Sequence, residues 1–452
     1  MPEPPALPLR TRGAEIVDGR GEAVRLKGTN VGGWLNMENF VTGYAATESI
    51  MRAAVRKVLG EERYELFFER LLSAFYADAD AAFLADTGLN CVRIPLNYRH
   101  LESDAKPFEI IADGFRHLDR AIAAGGAHGI YSIIDLHALP GSQNQHWHSD
   151  NPTHRALFWE HRHFQDRVVG IWEALADRYR GNAWVAGYNL MNEPADESRA
   201  VVGPFYKRLA AAIRAVDPDH ILFFDGNTYS TEFDIFDEPL DNAVYTLHDY
   251  VRAGLGRGGD SDRGAIEQKF LERSEYARRT NTPIYVGEFA PIYTGDPAED
   301  ARRRRMLDDQ LEIYRRYDAG FATWMYKDLG RQGLTYVRPE SPYGELVAGF
   351  VAKKVRLGVD QWGSTGRESP AITEPVQELV AREAPGFDPY PWGRFDWVRT
   401  LVLNITFAQP LAQEYAELFR GLDASELEAL ADSFALARCA VREPLRDQLR
   451  AA

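Results

Sequence analysis

A chain of 452 residues, 45% hydrophobic and 26% charged, has an ordinary globular balance and is long enough for one large domain plus an extension. Its net charge of −15 argues against nucleic acid or an anionic membrane surface as the default partner. Its longest apolar runs fall far short of a membrane span, and its two cysteines, Cys91 and Cys439, make neither a disulfide framework nor a zinc spacing.

Residues 1–9 are proline-rich without an apolar core segment, so the chain as given is expected to be cytoplasmic. Residues 15–27 alternate apolar and polar around Asp18-Gly19-Arg20-Gly21, a hairpin signal expected to plug the bottom of a barrel. Eight strand candidates follow, at 26–31, 89–95, 130–136, 185–191, 220–225, 243–247, 283–288 and 320–325. Helical periodicity fills the intervals at 64–86, 115–127, 161–179, 205–216, 265–279 and 301–317. Eight β-α repeats of this size indicate an α/β fold, a (β/α)₈ TIM barrel, rather than an open sheet. Long connections at 34–60, 138–160 and 327–343 all leave the carboxyl ends of strands, where a barrel keeps its site. Past residue 357 the pattern turns irregular and then helical at 413–420 and 425–438, with Asp423 or Ser425 as a cap. The expected division is a catalytic barrel with its N-terminal β-hairpin over 1–355, and a mainly helical C-terminal extension over 356–452 that packs on the barrel or completes it.

Polar residues collect where the strand candidates end. Glu193, in Tyr188-Asn189-Leu190-Met191-Asn192-Glu193-Pro194, closes the fourth, and Glu288, in Pro283-Ile284-Tyr285-Val286-Gly287-Glu288, closes the seventh. Two carboxylates facing one sugar are what glycoside hydrolysis requires. Arg93 on the second strand offers a fixed cation for a nucleophilic carboxylate, and Tyr250 after the sixth offers a hydroxyl. Asn192 can donate to a sugar hydroxyl beside the anomeric carbon, His137 and His248 can bond hydroxyls or the carboxylates, and Trp324 can floor the ring. His146-Trp147-His148 reads as a substrate-contacting or surface loop, since two histidines without a third ligand make poor evidence for a metal.

This set resembles glycoside hydrolase family 5, in the clan of (β/α)₈ retaining glycosidases. Arg93, His137, Asn192, Glu193, His248, Tyr250, Glu288 and Trp324 stand at the family's characteristic positions, over a resemblance that covers residues 13–330. The resemblance implies Glu193 as acid/base and Glu288 as nucleophile. Gly28-Thr29-Asn30-Val31-Gly32-Gly33-Trp34-Leu35 followed by Glu38, and Asp135-Leu136-His137-Ala138-Leu139-Pro140-Gly141-Ser142-Gln143-Asn144, look like the fungal exo-1,3-β-glucanase branch. That branch implies a terminal-glucose contact for Glu38 and a sugar-binding role for Asp150, although the segment between Asn144 and Asp150 departs from its pattern. Trp147 and Trp362 are candidates for stacking on the leaving-group side.

The expected function is a retaining, exo-acting β-glucosidase acting on a small carbohydrate or β-glucoside through a glycosyl-enzyme, with no cofactor and no metal. The alternatives are an endo-acting glucanase or mannanase of the same family, and a non-catalytic sugar-binding barrel.

Overall fold

The computed structural model describes residues 5–256, 262–359, 362 and 368–452. Two short strands, β1 (Arg10–Arg12) and β2 (Glu15–Val17), pair antiparallel. Eight further strands close a parallel barrel: β3 (Lys27–Asn30), β4 (Cys91–Asn97), β5 (Tyr131–Ala138), β6 (Val185–Asn189), β7 (Ile221–Asp225), β8 (Ala243–His248), β9 (Ile284–Glu288) and β10 (Gly320–Thr323). They follow chain order around the barrel, and β10 returns to pair with β3. All eight expected strands are present, most of them rich in apolar residues as strands covered on both faces are, although β3 reads Lys27-Gly28-Thr29-Asn30. Every residue of β4, for example, is buried.

The hairpin sits earlier than expected. Its strands meet about Gly13, which takes φ +59°, while the Asp18–Gly21 turn holds only an isolated bridge between Val17 and Ala23. Asp18 accepts from the backbone N–H groups of Arg20 and Glu22, so its side chain reinforces a turn that backbone bonds from the Asp18 N–H to Glu22 and from the Gly21 N–H to Asp18 also close. The plugging role holds: Leu9 and Ile16 join Leu26, Ile133, Phe223, Val244 and Tyr285 in one cluster inside the barrel.

The single helix expected over 64–86 is two, Glu61–Phe75 and Asp78–Asp86, parted by extended backbone at Tyr76 and Ala77. Asp80 explains the break. It accepts from the Ala77 N–H at 2.9 Å, from Tyr326 Oη at 2.6 Å and from Lys327 Nζ at 2.9 Å. The helix expected over 265–279 is likewise divided at Ser274.

After β10 the chain forms a small sheet of β11 (Lys327–Asp328), β12 (Thr335–Val337) and, from near the C-terminus, β13 (Cys439–Val441). Helix Pro342–Leu357 runs across the boundary expected at 355, so the division falls inside a continuous element. The extension then does three things. Helices Ser369–Glu383 and Gly393–Arg399 reach the mouth of the barrel. Helix Ala408–Glu417 packs on Glu48–Leu59, an insertion after β3. Helix Ala424–Asp432, started by an Asp423–Glu426 capping box, packs on Glu61–Phe75. No described helix is long and apolar enough to cross a membrane.

Lys327 ties these parts together. Fully buried, it also donates to the carbonyls of Phe75 (2.6 Å) and Phe434 (2.7 Å). Lys327→Met leaves Asp80 buried without its cation, an expected loss of about 3–5 kcal/mol. Guanidinium denaturation should show a lower midpoint at an unchanged slope.

Candidate active site

The expected residues converge at the carboxyl ends of the barrel strands, around a cavity of about 1090 Å³. Glu288, the last residue of β9, receives Arg93 Nη1 on Oε1 at 3.0 Å and Tyr250 Oη on Oε2 at 3.0 Å. These two donors fix the carboxylate so that one oxygen can face an anomeric carbon. Arg93 is itself immobilised with no exposed surface. Its Nε donates to Asn189, its Nη1 also to Asn30, and its Nη2 to Asn192, at 2.7–2.9 Å, while Asp135 lies 3.2 Å from Nη2. A planar fork with five donors suits such a floor better than a lysine does.

Glu193 lies beyond the end of β6 with φ +46°, a left-handed backbone that a glutamate adopts only at a cost of about 1–2 kcal/mol. Two hydrogen bonds hold it there: its N–H donates to Asp225 Oδ2 at 3.0 Å, and its carbonyl accepts from Asn144 Nδ2 at 3.0 Å. The side chain is clasped by two imidazoles. His248 Nδ1 stands 2.6 Å from Oε1, and His148 Nε2 stands 3.1 Å from Oε2. Burial opposes the charge on Glu193, but the hydrogen bonds to His148 and His248 outweigh it and draw its carboxyl below the usual range. Burial likewise opposes a charge on His248, yet Glu288 and Glu193 together lift it to about 9.

One carboxylate oxygen from each glutamate and one nitrogen of His248 lie within 4.8 Å of one another. That closeness accords with the ~5–5.5 Å carboxyl separation of double-displacement glycosidases rather than with the ~6.5–9.5 Å gap of inverting ones. The first-formed product should therefore keep the β configuration. Proton NMR of a fresh hydrolysate, read before mutarotation, checks this, and an α first product contradicts it.

The remaining expectations divide. His137 Nδ1 bonds Asp135 at 2.7 Å, and its ring lies 5.5 Å from that of Trp324, 14° from parallel. Asp135 is pushed up to about 7 by burial, against the pull of Arg93. Trp324 lines the cavity as expected, its indole lying against Gly32, where a Cβ would come within 2.8 Å. Glu38 also lines the cavity, and its Oε1 is buried with no hydrogen-bond partner; the nearest cation candidate, His137 Nε2, is 3.6 Å away. Asn192 is buried below the cavity, its oxygen on Arg93 and its Nδ2 3.2 Å from His137 Nε2, so it braces the floor. Trp147 and Trp362 both line the cavity; Trp147 stacks on His146, and Trp362 meets Tyr250 edge-on.

Asp150 does not take the role expected of it. It is absent from the cavity wall, accepting instead from the Ser49 N–H and Arg99 Nε at 2.9 and 2.8 Å. It staples the loop after β5 to the insertion after β3. His148, two residues earlier, occupies the wall. The sequence reading also passed over Asn30, Asn189 and Asp225. Asn189 and Asp225 are the last residues of β6 and β7, and that position alone could have flagged them.

Comparison with known proteins agrees with this geometry. The family model for cellulase (glycosyl hydrolase family 5) matches residues 63–330. A β-xylosidase of Phanerodontia chrysosporium is 41% identical over 98% of this chain and 97% of its own length. A probable glucan 1,3-β-glucosidase A of Neosartorya fischeri is 28% identical over 68% and 84%. Among solved structures, an endogalactoceramidase superposes with TM-score 0.54 at 20% identity, covering 71% of this chain and 75% of that one. An endoglucanase from Thermotoga maritima gives 0.52 at 17%, covering 68% and 91%. The structural matches carry the fold alone. The matched family and the close curated relative, added to the paired glutamates, show that this chain belongs to glycoside hydrolase family 5 and is a retaining β-glycosidase.

Proposed function

We propose that the enzyme is exo-acting and removes a single non-reducing β-pyranosyl residue of gluco configuration, a terminal β-glucoside or β-xyloside. The observation that carries this reading is Glu38, which lines the same cavity as Glu193 and Glu288 and whose buried Oε1 has no hydrogen-bond partner among the described residues. A buried acceptor of that kind is satisfied by the hydroxyls of a terminal sugar, and a continuing chain offers fewer of them. Trp147 and Trp324 line the same cavity, and their indole N–H groups have no acceptor among the described residues.

The cavity is larger than one pyranose ring fills. Its outer part is walled by Tyr229, Trp392, Phe395 and Thr373, three of them from the C-terminal extension, and this part suits the leaving group. The curated relatives, a β-xylosidase and glucan 1,3-β-glucosidases by name, support an exo-acting glycosidase. Glucose and xylose share their hydroxyl configuration at C2 to C4 and differ in the hydroxymethyl group.

Parallel assays of aryl β-glucoside and β-xyloside, followed by time courses on laminari-, cello- and xylo-oligosaccharides, test the reading. Monosaccharide should appear first, and internal fragments appearing first would replace it with endo action. Glu38→Ala should lower kcat/KM for the preferred monosaccharide glycoside by about 10–100-fold, from the loss of hydrogen bonds worth ~1.5–3 kcal/mol. The pH profile should stay bell-shaped, because Glu38 takes no part in proton transfer, while its basic limb should shift slightly to lower pH as His148 loses a neighbouring negative charge.

A further inference from the structure

The acid/base carboxyl is held by two histidines, and only His248 belongs to the family pattern. His148 comes from the loop after β5, where the sequence departs from the exo-1,3-β-glucanase pattern it otherwise resembles. It sits in the short turn Trp147–Ser149, and its carbonyl accepts from Asn36 Nδ2 at 3.1 Å. Its Nε2 faces two groups at once, Glu193 Oε2 at 3.1 Å and Asn144 Nδ2 at 3.0 Å.

The orientation of Asn144 is fixed. Its Oδ1 accepts from the His146 N–H at 3.1 Å, and its Nδ2 donates to the Glu193 carbonyl at 3.0 Å. The amide therefore presents an N–H, not an oxygen, to His148. An imidazole nitrogen carries either a proton or a lone pair. With the proton, Nε2 donates to the Glu193 carboxylate and leaves the Asn144 N–H unmatched. With the lone pair, it accepts from Asn144, and Glu193 holds the proton. One proton thus has two adjacent bases: the charges around His148 keep it on the imidazole at rest, and the Asn144 N–H lowers the cost of moving it to Glu193.

We propose that His148 is a positioning residue for Glu193 that stores the proton of the acid/base and returns it as the substrate's leaving oxygen arrives. The inference rests on the β-glycosidase reading of Glu193. Before bond cleavage, the Nε2 proton moves to Glu193 Oε2, giving neutral His148 and a carboxylic acid. Glu193 then gives that proton to the glycosidic oxygen as the C1–O bond breaks and Glu288 bonds C1. In the second half-reaction Glu193 takes a proton from the water that attacks C1 and displaces Glu288, and it can share that proton with His148. The cycle gains and loses no proton and needs no co-reactant.

The charged and titratable groups around His148 are Glu193 after β6, Glu38 after β3, Glu288 on β9, and His137 on β5, with His146 and Tyr229 at ring distances of 6.0 Å. Burial opposes a charge on His148, but Glu193 foremost, then Glu38 and Glu288, raise its affinity for a proton above that of a free imidazole. Such a pair titrates as a unit.

The test is the pH dependence of kcat/KM in wild type and H148Q, on a phenyl glycoside that needs an acid and a 2,4-dinitrophenyl glycoside that does not. On the phenyl substrate the basic limb should move to lower pH by about one unit, because the carboxyl alone loses its proton earlier than the pair does. On the dinitrophenyl substrate that limb should stay where it is. An unmoved limb with a uniform loss at all pH, or a KM effect alike on both substrates, overturns the proposal and leaves His148 a sugar contact. A limb moved to higher pH also overturns it, since His148 would then act only as a fixed cation. Wild-type inactivity on every glycoside would instead fail the functional reading. Should H148Q not fold, nitrogen NMR of histidine-labelled wild type and E193Q keeps the idea testable. His148 should be imidazolium at pH 7 in wild type and neutral in E193Q, and a neutral His148 in wild type overturns the storage role.

Discussion

Glu288→Ala should abolish turnover on every glycoside while leaving substrate binding nearly intact. On the assignment of Glu288 as nucleophile, the group lost is the one that would bond the anomeric carbon, and loss of a covalent nucleophile costs a hydrolase a factor on the order of 10⁶ in kcat. The surroundings are built to survive the change. Arg93 keeps Asn30, Asn189, Asn192 and Asp135 as partners, so its buried charge stays compensated. The vacated space lies between Arg93 Nη1 and Tyr250 Oη, two donors that welcome a small anion. Azide or formate at high concentration should restore cleavage of an activated glycoside. The azide adduct should be the α-glycosyl azide, because the anion attacks from the face Glu288 used and no second displacement follows. A β-adduct, or residual turnover at the wild-type level, would mean that Glu288 is not the nucleophile.

Glu193→Ala should behave in the opposite way. General acid catalysis contributes about 10²–10⁴-fold, and the full loss should appear only where the leaving oxygen needs a proton. A phenyl glycoside should slow by that factor. A 2,4-dinitrophenyl glycoside should form its glycosyl-enzyme at nearly the wild-type rate. Hydrolysis of that intermediate then lacks its base, so the covalent species accumulates, the release of dinitrophenol shows a burst and the apparent KM falls. Azide should restore turnover here too, but as the β-glycosyl azide, since it replaces water in the second displacement. The pair of anomers, α from one variant and β from the other, separates the two carboxylates. Equal losses on both substrates in both variants would contradict the assignment. Glu193→Ala also leaves His148 and His248 without their carboxylate. The proton affinity that Glu193 lends them should fall, and this is visible in the same nitrogen NMR experiment that follows His148.

The sequence by itself determined the barrel and its reactive pair. Strands buried on both faces are mostly apolar, so the runs around the barrel stood out, even though the observed β3 itself is Lys27-Gly28-Thr29-Asn30. A polar residue in or just after the carboxyl-terminal part of such a run points to the mouth, which made Glu193, His248 and Glu288 legible together, and Arg93, third in β4, with them. Local chemistry was equally plain at Asp423, whose capping box with Glu426 is written within four residues. What only the tertiary structure decided depends on contacts between distant positions. The break at Tyr76 and Ala77 is invisible to a helical period, because the Asp80 that makes it is held by Tyr326 and Lys327, some 250 residues on. The choice between Asp150 and His148 in the cavity wall turned on Ser49 and Arg99 claiming the aspartate. Loops have no periodicity to read, and a carboxylate there goes to whichever cation the fold brings nearest. The extension past residue 357 was legible as helices but not as a wall of the site, because the barrel mouth it covers is assembled from strands hundreds of residues earlier.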